Sequence, residues 1–451
     1  MKQASRTLDV QAFIDAERFS PCQWLVLIFC FLIVAADGYD TAAIGFIAPS
    51  LAQEWGIPRS ELGTVMSAAL AGLSLGAIFA GPIADRIGRK TVLVAAVAAF
   101  GAWTLAAAHA QSLAMLTALR FLTGLGLGAA MPTTITMMSE YAPKRLRAFT
   151  VNAMYCGFSF GLVSGGAASA WLIPHFGWRS VLTAGGIGPL ALAVLLLALL
   201  PESAQFLAVR PGTRDKIARI LQRIAPGQRL DACAFVARVG QEAPGNQGSA
   251  LALILSEPYR RRTLLLWLSC FMGLVIYYLM TNWMPTLFRE AGFSIEHGAL
   301  LAAVFPLGGL LGNLVAGWLM DRFDANRTIV VAYVLAAVLV AVVGRCVDHP
   351  AYLGASLFAC GTLVTSAATS MSTYAASLYP TEARTTGVAW MQGIGRIGGV
   401  AGSFAGGALL GIGWDFGAVF GLLAVPAVAA AWAVFMIARP RQAYAVTSAA
   451  K

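Results

Sequence analysis

The stretch GPIADRIGRK at residues 81–90 separates two hydrophobic runs, and a second version, GWLMDRFDANR at residues 317–327, separates two more, 236 positions later. In each, a glycine (Gly81, Gly317) is followed by an Asp-Arg pair, Asp85-Arg86 and Asp321-Arg322. A weaker pair keeps the same step: Ser139, Tyr141, Pro143 and Arg147 recur as Ser377, Tyr379, Pro380 and Arg384, 237–238 positions on. A spacing held over so many landmarks reads as one unit present twice.

Working outward from these loops, hydrophobic runs of about 20 residues, the length that crosses a bilayer, fall at twelve places. They are residues 24–47, 62–83, 91–108, 113–139, 149–173, 181–200, 263–287, 298–320, 328–343, 352–378, 386–410 and 416–437. With 58% hydrophobic and 12% charged residues in a chain of 451, and a mean hydropathy of +0.73, soluble, disordered, collagen-like and disulfide-scaffold classes are excluded. The expected fold is an all-α polytopic membrane protein of 12 transmembrane helices in two six-helix bundles. The expected divisions are an N-terminal segment (1–23), a first bundle (24–200), a central loop (201–262), a second bundle (263–437) and a tail (438–451). The central loop reads as a linker with short surface helices, including an amphipathic stretch around Asp215–Ile224. The first run is too long for a signal-peptide core and lacks a small-residue cleavage site, so it counts as a span.

The net charge of +10 would suggest a nucleic-acid partner in a soluble protein, but here the basic residues sit between spans. One face carries 25 Lys and Arg, the other only Arg59, Arg179, Arg289 and Arg345. This bias puts both termini and the central loop in the cytoplasm, makes membrane lipid the surroundings and leaves no nucleic-acid partner. The cysteines at 22, 30, 156, 233, 270, 346 and 360 have no Cys-x-x-Cys spacing and read as packing residues.

Four ionisable groups fall well within spans: Asp37 and Asp40 in the first, Arg120 in the fourth and Arg396 in the eleventh. Each costs about 2.5–3.5 kcal/mol at a helix centre, so such groups face the bundle interior and are functional candidates. Asp37 and Asp40 share a helical face, with Gly38 between them. Two carboxylates so close resist joint ionisation, so one holds a proton more readily, as a proton carrier must. The alternative is a static ion pair with Arg120. Arg120 precedes Gly124, Gly126 and Gly128, a surface on which another helix can pack closely, and it either locks the aspartates or holds an anion. Arg396 has no intramembrane acid in its own half, and its planar fork matches a carboxylate. It reads as the partner of a substrate anion, or else of Asp37 or Asp40 across the halves. Glu140, near Lys144, Arg145 and Arg147, joins Asp37 and Asp40 as a proton-coupling candidate, with a latch ion pair as its other role.

Aromatic and polar groups available to a pocket are Tyr277, Tyr278, Asn282, Trp283, Asn313, Ser370, Thr373, Tyr374, Trp390 and Gln392. Of these, Trp283, Tyr374, Trp390 and Gln392 are taken with Arg396 and Arg120 as the substrate-binding set. The histidines (109, 175, 297, 349) lie near the outer face, which leaves a buried histidine relay unsupported. GIGRIG at 393–398 matches a dinucleotide fingerprint but lies inside an apolar span with no preceding strand, and so reads as helix packing. With no P-loop, nucleophile or metal-ligand cluster, the chain reads as neither ATP-driven nor an enzyme, with no metal and no cofactor.

Duplicated six-span halves are the architecture of major facilitator transporters, and GPIADRIGRK resembles that superfamily's signature loop. By this resemblance Gly81, Asp85, Arg86, Gly88 and Arg89 form a gating loop, with Asp321 and Arg322 as its second copy. That copy has Asp324 and Ala325 where the first has Gly88 and Arg89. The run DGYDTAAIGFIAP at 37–49, preceded by LDVQAFI at 8–14, is similar to the aromatic acid:proton symporters, especially the 4-hydroxybenzoate and protocatechuate permeases. The resemblance implies that Asp37 and Asp40 are required for transport and that Arg120, Glu140 and Arg396 carry functional weight. It further implies proton-coupled uptake of benzoate-type acids across the bacterial inner membrane by alternating access, in a functional monomer with protons as the coupling ion. An efflux pump of the same fold and a non-transporting sensor of aromatic acids are the alternatives.

Overall fold

Inside lipid an apolar run satisfies its backbone by becoming a helix, and a computed structural model has a long helix at each of the twelve runs. It describes residues 6–228, 233–236, 252–257, 259–347, 349–379 and 381–438. The side chains of Asp85, Asp321 and residues 381–386 lie outside that description, as does the tail from 439. The first half opens with β1 (Arg6–Asp9) and α1 (Val10–Ala16). It continues with α2 (Pro21–Trp55), α3 (Arg59–Ile87), α4 (Arg89–Ala107), α5 (Leu113–Tyr141), α6 (Arg147–Phe176) and α7 (Arg179–Leu199). The central loop carries α8 (Ala204–Ala208), α9 (Arg214–Ile224) and β2 (Cys233–Val236). The second half comprises α10 (Arg260–Glu290), α11 (Ile295–Arg322), α12 (Ala325–Val343), α13 (Pro350–Leu378), α14 (Thr381–Gly411) and α15 (Phe416–Ala438).

Among the described residues, ten of these helices are long and apolar enough to cross a membrane; α3 and α14, parts of which lie outside the description, are not counted with them. Those two pack on each other across the halves, where a Cβ on Gly63 would come within 2.9 Å of the Phe404 carbonyl oxygen. Several helices outrun the predicted spans: α2 covers 21–55 rather than 24–47. Gly56, Gly177, Gly292 and Gly413, all at positive φ, turn the chain at the end of the bundle opposite the termini.

Glycine lets paired helices touch backbone to backbone, and the pairs repeat. A Cβ on Gly38 or Gly161 would collide with the facing backbone of the α2–α6 pair, and one on Gly398 or Gly402 with that of α10–α14. The same holds for Gly72 and Gly124 between α3 and α5, and for Gly308 and Gly361 between α11 and α13. The duplication read from the loops is thus a duplication of packing. Gly395 and Gly398 of the GIGRIG run sit against Cys270 and Phe271, a helix contact as expected.

The buried apolar residues divide unevenly. One cluster, with Ile47, Leu51, Trp178, Trp283, Phe288 and Phe305, belongs to both halves and lies toward the end opposite the termini. Toward the termini there are two separate clusters, one per half. The halves are therefore joined at one end and packed independently at the other.

The N-terminal segment and central loop are more than linkers. β1 pairs in parallel with β2, Arg6 opposite Cys233. The amphipathic α9 buries Ile217, Ala218, Ile220, Leu221 and Ile224. Together with α1 and α8 it packs into the core of the first half alone.

Candidate functional site

α2 carries both aspartates, and the structure treats them differently. Arg120 donates from Nη1 to Asp40 Oδ1 at 2.8 Å and from Nη2 to Asp40 Oδ2 at 2.9 Å, a bidentate pair with both side chains 1% exposed. The Thr104 hydroxyl adds a bond to Oδ1 at 3.1 Å. Of the two roles the sequence left open for Arg120, this geometry is the lock on an aspartate. A cavity of about 20 Å³, room for one water, lies beside the pair and is lined from the second half by Tyr278 and Asn282.

Asp37 is 3% exposed, and its Oδ1 has no hydrogen-bond partner. α14 brings Arg396 within electrostatic reach of it, and Arg396, partly exposed, makes no hydrogen bond or ion pair among the described residues. Tyr155 on α6 and Tyr278 on α10 stand within reach of both charges. The centre of the molecule thus holds a neutralised acid–base pair in one half. Beside it are an acid and a guanidinium within electrostatic reach of each other across the halves, neither with a hydrogen-bond or ion-pair partner among the described residues.

The remaining predicted pocket residues scatter. Trp283 is fully buried, its indole donating to the Ser403 carbonyl at 2.7 Å, so it is core rather than pocket wall. Tyr374 accepts a 2.7 Å bond from Asn326 Nδ2 and is packed in the second half's own cluster. Trp390 is 43% exposed and stacks on Trp267 at 5.9 Å. Gln392 lies one turn from Arg396 on the same face of α14 and donates to Ser372 Oγ at 3.2 Å. Tyr155 and Thr104 were not singled out from sequence; a tyrosine two turns inside a span was the available signal for the first, and a threonine on an apolar helix gives none.

The stretch 81–90, expected as a loop, is a braced corner between helices: α3 runs to Ile87, α4 begins at Arg89, and Gly88 alone lies between them. Gly88, at φ +109°, precedes α4 and has no side chain to cap it. Glu202 does so from the far end of α7: its Oε1 accepts from the amides of Arg89 (3.0 Å), Lys90 (3.1 Å) and Ser203 (2.9 Å). Arg89 pairs with Glu140 at 3.3 Å, and its guanidinium lies over the Phe206 ring at 5.0 Å. Glu140 thus takes the latch geometry. Arg86 is exposed, and its carbonyl accepts a bond from Arg210. In the second loop Asp324 caps its own helix α12, accepting from the Arg327 amide at 2.9 Å, and Arg322 is exposed. The sequence missed Glu202; the signal was a helix start with glycine where a capping side chain normally sits.

Comparison with known proteins agrees with this architecture. The family model of the Major Facilitator Superfamily matches residues 30–344 and 287–451. The chain is 49% identical over 433 residues to the 4-hydroxybenzoate transporter PcaK of Pseudomonas aeruginosa, covering 96% of each. It is 46% identical to the gallate transporter of Pseudomonas putida, covering 98% of each. Among solved structures, the inward open conformation of the xylose transporter XylE from E. coli superposes with a TM-score of 0.73 at 17% identity, covering 94% of this chain and 98% of that one. Its duplicated halves, its signature loop and these matches along nearly its whole length place the chain in the Major Facilitator Superfamily, as a membrane transporter and not an enzyme.

Proposed function

We propose that this chain imports aromatic carboxylates, 4-hydroxybenzoate, protocatechuate or a related benzoate, across the bacterial inner membrane together with protons. It works by alternating access as a monomer without a cofactor, both termini in the cytoplasm. The relatives' substrates, 4-hydroxybenzoate and gallate, support the substrate class. The observation that carries the mechanism is the buried Asp37 carboxylate, its Oδ1 without a partner, within electrostatic reach of an Arg396 guanidinium that makes no bond among the described residues.

Arg396 presents a free planar fork suited to a carboxylate. When the substrate anion binds there, Asp37 loses the cation that offsets its burial, and a buried unpaired carboxylate is costly. A proton on Asp37 removes that cost, so substrate and proton enter together. Asp40 is already neutralised by Arg120 and serves as a fixed strut, which leaves carriage to Asp37. Tyr155 and Tyr278 offer ring faces and hydroxyls to the planar substrate. The shared apolar cluster must part for the site to face the other side. One proton with one monoanion moves no net charge, so the pH gradient alone drives that stoichiometry.

The test is uptake of labelled 4-hydroxybenzoate into right-side-out vesicles under an imposed pH gradient. Accumulation is expected to vanish with a protonophore and in Asp37→Asn, while Asp37→Asn still exchanges substrate at equal concentrations. Wild-type accumulation by Asp37→Asn overturns the proton assignment. Net export under the same gradient overturns import in favour of efflux.

A further inference from the structure

A second cleft, of about 720 Å³, lies at the termini side of the first half, between the ends of α4 and α7 and the helices α8 and α9. Its lining includes five cations, Lys90, Arg210, Lys216, Arg219 and Arg223, against one carboxylate, Glu202, whose Oε1 already accepts three amides. Two of the cations are engaged: Lys90 Nζ donates to the Leu197 carbonyl at 2.8 Å, and Arg210 lies over the Phe206 ring at 4.4 Å. Among the described residues Arg219 bonds only the Asp215 carbonyl of its own helix, at 3.2 Å. Lys216 and Arg223 make no hydrogen bond or ion pair among the described residues. All three project from the polar face of α9 as exposed side chains, while the opposite face is buried.

The other wall is apolar. Leu199 lines the cleft and is 48% exposed, and the adjoining turns of α7 expose Val194, Leu195 and Leu197. In a membrane-spanning helix those side chains meet acyl chains. A site with free cations on one wall and lipid-facing leucines on the other fits an amphiphile with an anionic head, not a free ion. We infer that this cleft binds an anionic phospholipid, its phosphodiester held by Lys216, Arg219 and Arg223 and its chains lying along the end of α7. Basic pockets at the cytoplasmic ends of membrane helices take such headgroups, with about 1 kcal/mol per Lys or Arg near the surface. The bound lipid ties α9 and α7 together beneath the first half.

The test uses the full-length protein purified in neutral detergent, with phosphatidylglycerol or phosphatidylcholine added. Retained lipid is counted by native mass spectrometry and thermal unfolding is followed in parallel. Phosphatidylglycerol is expected to be retained and to raise the unfolding temperature, and phosphatidylcholine to do neither. The triple variant Lys216→Gln, Arg219→Gln, Arg223→Gln is expected to bind phosphatidylglycerol on the order of 100-fold more weakly. The charge-conserving set Lys216→Arg, Arg219→Lys, Arg223→Lys keeps binding. If the glutamine variant does not fold, the charge-conserving set and the wild type decide, because the phosphatidylglycerol effect must then fall with added salt. Equal retention of both lipids, retention unchanged in the triple variant, or a salt-independent effect overturns the proposal. So does equal stabilisation by inorganic phosphate, which would mark a simple anion site.

Discussion

The two halves solve the same problem at their signature loops in opposite ways. In the first, the helix after the loop is capped by Glu202, 113 residues away, which fastens α4 to the end of α7. In the second, α12 is capped by its own Asp324, three residues from the amide it accepts. The intramembrane arginines repeat the contrast: Arg120 is bonded at both ends of its fork to Asp40, and the partly exposed Arg396 has no such partner among the described residues. A duplicated scaffold has become one cross-braced half and one half that keeps its cation free, which suits a frame and a ligand-bearing partner that rock against each other.

The largest expected effect breaks the arginine contrast. Arg120→Met strands the Asp40 carboxylate in a dry interior, a loss of about 3–5 kcal/mol. Thermal unfolding of the purified protein should report it, and replacing Asp40 with Leu in the same chain should recover most of it. Arg396→Met breaks no hydrogen-bonded pair, and Asp37 can take up a proton in place of the lost charge, so the unfolding temperature should fall far less than in Arg120→Met while uptake is abolished. Equal destabilisation by the two methionine variants would erase the distinction between strut and free charge.

Next come the caps. Glu202→Ala removes a charged acceptor from three amides, for about 2–3 kcal/mol. Asp324→Ala removes an ordinary N-cap, for about 1 kcal/mol. The sharper readout is location. Hydrogen exchange in Glu202→Ala should rise both at the start of α4 and at the end of α7, whereas Asp324→Ala should affect only the first turn of α12. A purely local response to Glu202→Ala would mean the corner is not a brace.

These contrasts mark where sequence reading stops. Twelve helices and the duplication were legible because apolar length and the spacing of repeated loop motifs are properties of the chain itself; which helices pair through their glycines was not. In sequence Arg120 and Arg396 are each a single cation in an apolar run, set apart only by the acids in Arg120's own half, and each is left with two roles. Which one finds an acid depends on the rotation and neighbours of its helix, set by packing such as Gly38 on the Phe158 backbone. Trp283 was placed in the pocket on residue type, yet its indole fills the space over Gly406. The β1–β2 pair and the Glu202 cap join segments with more than a hundred residues between them, and although Gly88 marks a helix start without a cap, no local pattern names the distant partner.

The smallest effect concerns a second brace found, among the described residues, only on the first half. Asp15 on α1 accepts from the Lys144 amide at 2.7 Å and from the Gln11 side chain at 2.8 Å. Partial burial pushes its carboxyl up, but the Lys144 and Gln11 bonds and the Lys144 and Arg147 charges together hold it below its ordinary value of 3.8. A carboxyl whose folded value is depressed stabilises fully above its unfolded value and loses that contribution as pH falls through the folded one. Docking of residues 10–17 should therefore be constant from neutral pH down to about 4 and weaken below it. Amide exchange of α1, corrected for intrinsic rates, should rise in that acid range, and Asp15→Asn should remove the pH step at a cost of no more than about 1 kcal/mol. The second half, which has no such segment beneath it among the described residues, should show no matching step. A matching step there would mean the asymmetry lies in general acid loosening and not in the brace.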